Sequence, residues 1–140
     1  MMDLLTETLR AALRANAETG DRATRDPAPV VKLFNPCGAA TWLATELDAD
    51  GDTLFGLADM GFGCPELGSF SLSEIAAVRV PFGLRIERDL HFDTRFALSI
   101  WTAWSRRAGS ILWAETLLRR AVAQGGPVLA DPNTSNLPPS

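Results

Sequence analysis

The chain reads as an α+β protein: an N-terminal helix, an antiparallel sheet of four or five strands, and a C-terminal helical hairpin covering one face. Three observations carry that reading. Apolar residues recur at helical spacing near both ends of the chain. The middle alternates β-branched and aromatic residues between turn signals. One stretch of 140 residues with 46% hydrophobic and 21% charged side chains has the composition of a single globular domain that buries roughly two thirds of its unfolded surface.

Leu4, Leu5, Leu9, Ala12 and Leu13 form an apolar stripe that predicts a helix over residues 2–17. A polar linker follows over residues 18–28, with Gly20 and Asp26-Pro27 as breakers. Residues 30–34 and 40–47 are strand-like and flank the turn Asn35-Pro36-Cys37-Gly38; a second turn at residues 48–52 leads to a third strand over 53–58. A three-stranded meander is therefore expected. Residues 60–65 read as a glycine-rich loop, with Glu66 in the Pro-Glu-Leu-Gly turn that follows. Ser71 and Glu74 match a capping box, predicting a short helix over 72–78; Pro81 and Gly83 end it, and residues 84–90 read as a further strand.

In an extended strand, Glu87, Asp89 and His91 project to one side, opposite Ile86, Leu90 and Phe92. Beyond Asp93, Phe96, Ala97, Ile100, Trp101 and Trp104 make one helical face, Gly109 breaks it, and a second helix over 110–123 completes the hairpin. The whole of residues 1–124 is expected to form one domain, with 125–140 as a Gly-, Pro-, Asn- and Ser-rich flexible tail.

Net charge is −4, unevenly spread: residues 29–92 hold nine carboxylates against four Lys/Arg, and residues 93–140 hold three against five. An acidic middle disfavours phosphate binding and suits a basic protein partner, whereas the C-terminal part suits an acidic one. No apolar run reaches the length of a bilayer span and no signal-peptide layout is seen, so no membrane association and a cytoplasmic setting are expected. Cys37 and Cys64 lie in loops without metal or redox spacing and are expected to be reduced.

Pro29-Val30-Val31-Lys32-Leu33-Phe34, Thr41-Trp42-Leu43 with Thr45-Glu46, Leu54-Phe55-Gly56-Leu57, Pro65-Glu66-Leu67-Gly68, Ser71-Leu72-Ser73-Glu74-Ile75 and Gly83-Leu84-Arg85-Ile86-Glu87-Arg88-Asp89 follow in order over residues 4–92. Together they resemble the bacterial domain-of-unknown-function family numbered twenty-nine fifty-eight. The resemblance implies cargo of plasmids, integrative elements and phages, often beside antirestriction or DNA-processing genes. It implies no activity. The hairpin, residues 93–124, lies outside the resemblance as read.

Candidate sites come in two groups. Glu66, Glu87, Asp89 and His91 form a candidate polar site: carboxylates with an imidazole suit Mn, Fe or Zn, or a hydrolase with Glu66 as base and His91 as acid. Ion pairing of an ordinary amphipathic strand with Arg85 and Arg88 explains the same pattern. No nucleophile elbow, H-E-x-x-H or phosphate loop occurs, so no catalytic residue, metal or cofactor is assigned. Asp48, Asp50, Asp52 and Asp59 fall in a calcium-loop register that lacks its glycine at position six and its glutamate at position twelve, and read as a hairpin turn.

Trp101, Trp104, Arg106, Arg107, Trp113, Arg119 and Arg120 form a candidate interface; burial of the tryptophans and helix-end placement of the arginines are the competing readings. The function expected is a small accessory protein of a mobile element or phage that binds another protein, with self-association compatible with the sequence. The alternatives are a metal-dependent enzyme at the polar site and nucleic-acid binding through the C-terminal helices.

Overall fold

The structure, a computed structural model, describes residues 3–19, 25–125 and 128. The stretch 20–24 within the linker, and the tail expected to be flexible apart from Gly125 and Val128, lie outside the described residues. Helix α1 (Glu7–Glu18) starts later than its apolar stripe. The Thr6 hydroxyl accepts the Leu9 amide and Asp3 accepts that of Leu5, so Leu4 and Leu5 enter the core from the lead-in.

Strands β1 (Val31–Phe34), β2 (Thr41–Leu47) and β3 (Thr53–Asp59) form the expected antiparallel meander. The segment read as a turn at Glu66 is instead a fourth strand, β4 (Glu66–Ser71). Its Gly and Ser content hides it in the sequence, but its register on β3 pairs Leu67 with Leu57 and Phe70 with Leu54. Helix α2 (Leu72–Ala77) follows at once. The predicted strand over 84–90 shrinks to β5 (Glu87–Arg88), giving a sheet of order β4-β3-β2-β1-β5. It ends there because the Asp89 carboxylate accepts the His91 amide at 2.9 Å and turns the chain. Helices α3 (Leu98–Ala108) and α4 (Ile111–Ala123) form the hairpin across Gly109, whose φ of 87° a side chain would strain.

The sheet lies between two helical layers. Trp42, Ala44, Leu47 and Leu54 pack with α1 and α2, whereas Leu43 and Leu57 pack with α3 and α4. With both faces covered, every residue of β2 is buried. A bulge between Ala44 and Glu46 re-phases the alternation. Opposite it, a Cβ on Gly56 would sit 1.9 Å from the Leu43 carbonyl oxygen, so only glycine permits this approach. No helix among the described residues is long and apolar enough to cross a membrane.

Carboxylates distant in sequence cap the helices. Buried Asp59 accepts the amides of Gly61 at 2.8 Å and Ile111 at 2.9 Å, tying the glycine loop to the start of α4. Asp26 accepts the amide and hydroxyl of Ser99 at the start of α3, where Ala97 supplies no cap. Asp52 accepts the Ser71 hydroxyl at 2.6 Å and the Ser73 amide at 2.8 Å, reinforcing the predicted Ser71 cap on Glu74. Asp59 lies at the far end of β3 from Asp48, Asp50 and Asp52, so the calcium register has no spatial counterpart.

Hydrogen bonds from the Thr53 hydroxyl, then from the Thr53 and Asp52 amides, hold the Asp50 carboxyl down at about 2. The Ser71 hydroxyl, then the Ser73 amide, lowers that of Asp52. A depressed folded value stabilises the fold above the unfolded value and is lost as pH falls through the folded one. An Asp50→Asn, Asp52→Asn variant is therefore expected to melt below wild type above about pH 5, with the gap closing towards pH 2; thermal melts across this range check it. Solvent screening keeps the effect small.

Candidate functional site

Lys32 is the one charge in the apolar run of β1. It faces α4 on the same side of the sheet as Leu43, its cross-strand partner, and is 6% exposed. Its Nζ donates to Glu115 Oε1 at 2.9 Å and lies 3.4 Å from Asp89 Oδ2, while Arg119 approaches Glu115 at 3.8 Å. This cluster ties β1, the turn after β5 and α4 together. Strand pairing places Asp89 beside Lys32, its amide donating to the Lys32 carbonyl at 3.0 Å.

Two clefts flank the 89–91 turn. One, of about 480 Å³, is bordered by Lys32, Phe34, Glu87, Asp89, His91 and Leu112. The other, of about 350 Å³, is bordered by Asp89, His91, Phe92, Phe96, Trp101, Glu115 and Arg119, among others. Glu87, Asp89 and His91 thus border one cleft. Glu66 does not join them: it lies on β4, at the opposite edge of the sheet, four inter-strand spacings or about 19 Å away. The Glu66/His91 acid–base pair is therefore not assembled. Asp89 and Glu115 are engaged with Lys32, and among the described residues no group of three or more His, Cys, Asp or Glu is arranged to hold a metal ion.

The candidate interface on the hairpin separates. Trp101 and Trp104 are buried against the sheet; only Trp113 is exposed, with Arg120 over its ring at 5.4 Å. Arg106 and Arg107 are exposed at the C-terminal end of α3. Arg119 and Arg120 lie two turns along α4, about 12 Å from its start, so the four arginines do not form one strip.

A different surface stands out at the end of the sheet where β1 meets β2 and β3 meets β4. The Cys37 thiol reaches the Pro81 carbonyl at 3.6 Å, and a Cβ on Gly61 would contact Ala39, so loops 35–40, 60–65 and 81–84 are neighbours. From them Phe62 projects 86% exposed and Phe82 92% exposed, beside half-exposed Met60 and Leu84. Gly61, Gly63 and Gly83 have positive φ, and so does Phe82 at 66°. For a bulky residue that conformation costs about 1–2 kcal/mol. Because Asp59 caps α4 here, the adjoining end of α3 brings Arg106 and Arg107 to the same end of the molecule. Both cysteines are free thiols and exposed there.

Sequence reasoning passed over Lys32, Glu115, Phe62 and Phe82. A lone lysine in an apolar strand signals a buried charge that needs a partner. Gly-Phe-Gly and Pro-Phe-Gly place an aromatic ring where the backbone forbids regular structure.

No curated protein and no solved structure matches the chain. A family model matches residues 4–112, so the family likeness does not stop at residue 92: it runs through α3 into the first turn of α4, and most of the hairpin is a family feature. With that match covering well over half its length, the chain belongs to the family described as "Protein of unknown function (DUF2958)".

Proposed function

We propose that the protein acts by binding another protein through the apolar loop end that carries Phe62 and Phe82, as an accessory protein of a mobile genetic element or phage. A host defence or DNA-processing complex is the class of target, a setting supported by the family likeness. The observation that carries the binding reading is the exposure of two phenylalanines at one end of the sheet, one of them on backbone of unfavourable φ. Large aromatics dominate interface energies, and strain of this kind persists where the surrounding structure holds it for a purpose.

The charge of the partner differs from that expected of an acidic middle. Glu46 and Asp59 are buried, Asp50 and Asp52 are spent on turn and cap bonds, and Asp89 pairs with Lys32. The loop end is flanked by exposed Arg79, Arg106 and Arg107 and by exposed Glu66 and Glu87, so the complementary surface is apolar with a rim of mixed charge.

Capture from a host lysate by wild type, by the Phe62→Ser, Phe82→Ser variant and by the Arg106→Glu, Arg107→Glu variant tests this. A specific partner should be held by wild type, released by salt, weakened about 30-fold or more by the phenylalanine pair, and weakened by the charge reversal. Equal capture by the phenylalanine variant, with its melt unchanged, contradicts the reading.

A further inference from the structure

We propose that β4 pairs with β4 of a second copy, antiparallel and about a two-fold axis at Gly68. The two edges of the sheet are unlike. The β5 edge has two residues, flanked by the isolated Arg79–Arg85 bridge on one side and the Asp89 turn on the other. The β4 edge runs for six residues, with Glu66 as its only charge and no lysine, proline or bulge to deter pairing.

The hydrogen-bond parity of β4 is set by the Leu72 amide, which donates to the Asp52 carbonyl at 2.9 Å. Through the register Leu54↔Phe70, Gly56↔Gly68 and Ala58↔Glu66, the even-numbered residues bond to β3. The N–H and C=O groups of Leu67 and Ser69 therefore point away from the sheet, and no bond outside the ladder reaches them among the described residues.

Self-pairing centred on Gly68 sets Leu67 opposite Ser69 of the second copy and Ser69 opposite its Leu67. Each such pair exchanges two hydrogen bonds. Glu66 then faces Phe70 of the second copy, so the like charges are not juxtaposed.

Gly68 supplies an independent observation. Its φ is not positive, and a Cβ there would meet nothing within 4 Å, so neither backbone conformation nor internal packing calls for glycine. In a two-fold pair, the residue on the axis faces its own copy as a non-hydrogen-bonded pair with Cα atoms about 4.5 Å apart, and a glycine inside a strand marks a place where a second backbone approaches closely. Leu67, 42% exposed, would be covered by the same contact. The arrangement is self-complementary, which favours a second copy over an unrelated strand.

The test is sedimentation equilibrium of the full chain from about 1 to about 500 μM, with hydrogen exchange read at single amides. Wild type should double in mass with concentration, and the amides of Leu67 and Ser69 should gain protection in step. Ser69→Pro removes an outward donor and no internal bond; Gly68→Glu fits the monomer and sets two like charges opposite each other across the axis. Each should weaken the dimer about tenfold or more while melting within a few degrees of wild type. Wild type monomeric throughout, or dimerising with neither variant impaired, overturns the proposal. So does protection of Leu67 and Ser69 that appears only with a captured partner, which assigns the edge to that partner's strand. None of these outcomes bears on the loop end, which lies off β4.

Discussion

Trp104→Ala is expected to destabilise the protein by about 3–5 kcal/mol, lowering the melting temperature by about 10 °C or more. Trp104 is completely buried, packed in the cluster that joins Leu43 and Leu57 of the sheet to Ile111, Ala114 and Leu118 of α4. Removing an indole from a two-sided contact leaves a cavity that rigid strands and helices cannot close, so the transfer and cavity costs add. Trp113→Ala should cost less than about 1 kcal/mol, since its exposed ring loses little beyond the Arg120 contact. Urea denaturation of the two variants side by side checks the contrast. Equal, small losses would mean that α3 does not pack on the sheet as described.

Lys32→Met is expected to cost about 2–3 kcal/mol, and Lys32→Met with Glu115→Leu to recover most of it. The single change strips the cation from Glu115 and Asp89, both held near the sheet with side chains 22% and 27% exposed. Residual solvent access keeps the loss at the lower end of the range for a broken buried pair. The double change replaces the pair by apolar atoms against Phe34 and Leu112, leaving only Asp89 to turn towards water. A double-mutant cycle in urea measures the coupling; a single variant as stable as wild type would show that the pair contributes nothing.

How much of this was legible in the residues depended on the range over which each signal acts. The meander, the Ser71 cap and the Gly109 break depend on neighbours within a turn or two, and local chemistry disclosed them. Strand β4 escaped because its stability comes from facing β3, not from its Gly- and Ser-rich composition. Helical periodicity placed Trp101 and Trp104 on one face but left open whether that face met the sheet or a partner. Glu66 and His91 flank one stretch of sequence, yet the strand order sends them to opposite edges.

The bonds that organise the candidate site span long separations. Lys32 and Glu115 lie 83 residues apart and Asp59 and Ile111 lie 52 apart, and no motif links either pair. Phe62 and Phe82 share an end of the molecule only because three loops converge there.

The most direct measurement of the protein-binding account is site-specific photo-crosslinking in a natural host, with the crosslinking residue placed in turn at Phe62, Phe82 and Asp50. The account predicts one heterologous protein joined at positions 62 and 82 and absent at 50, on the opposite end of the sheet. No adduct at 62 and 82, or the same adduct at all three positions, would contradict it.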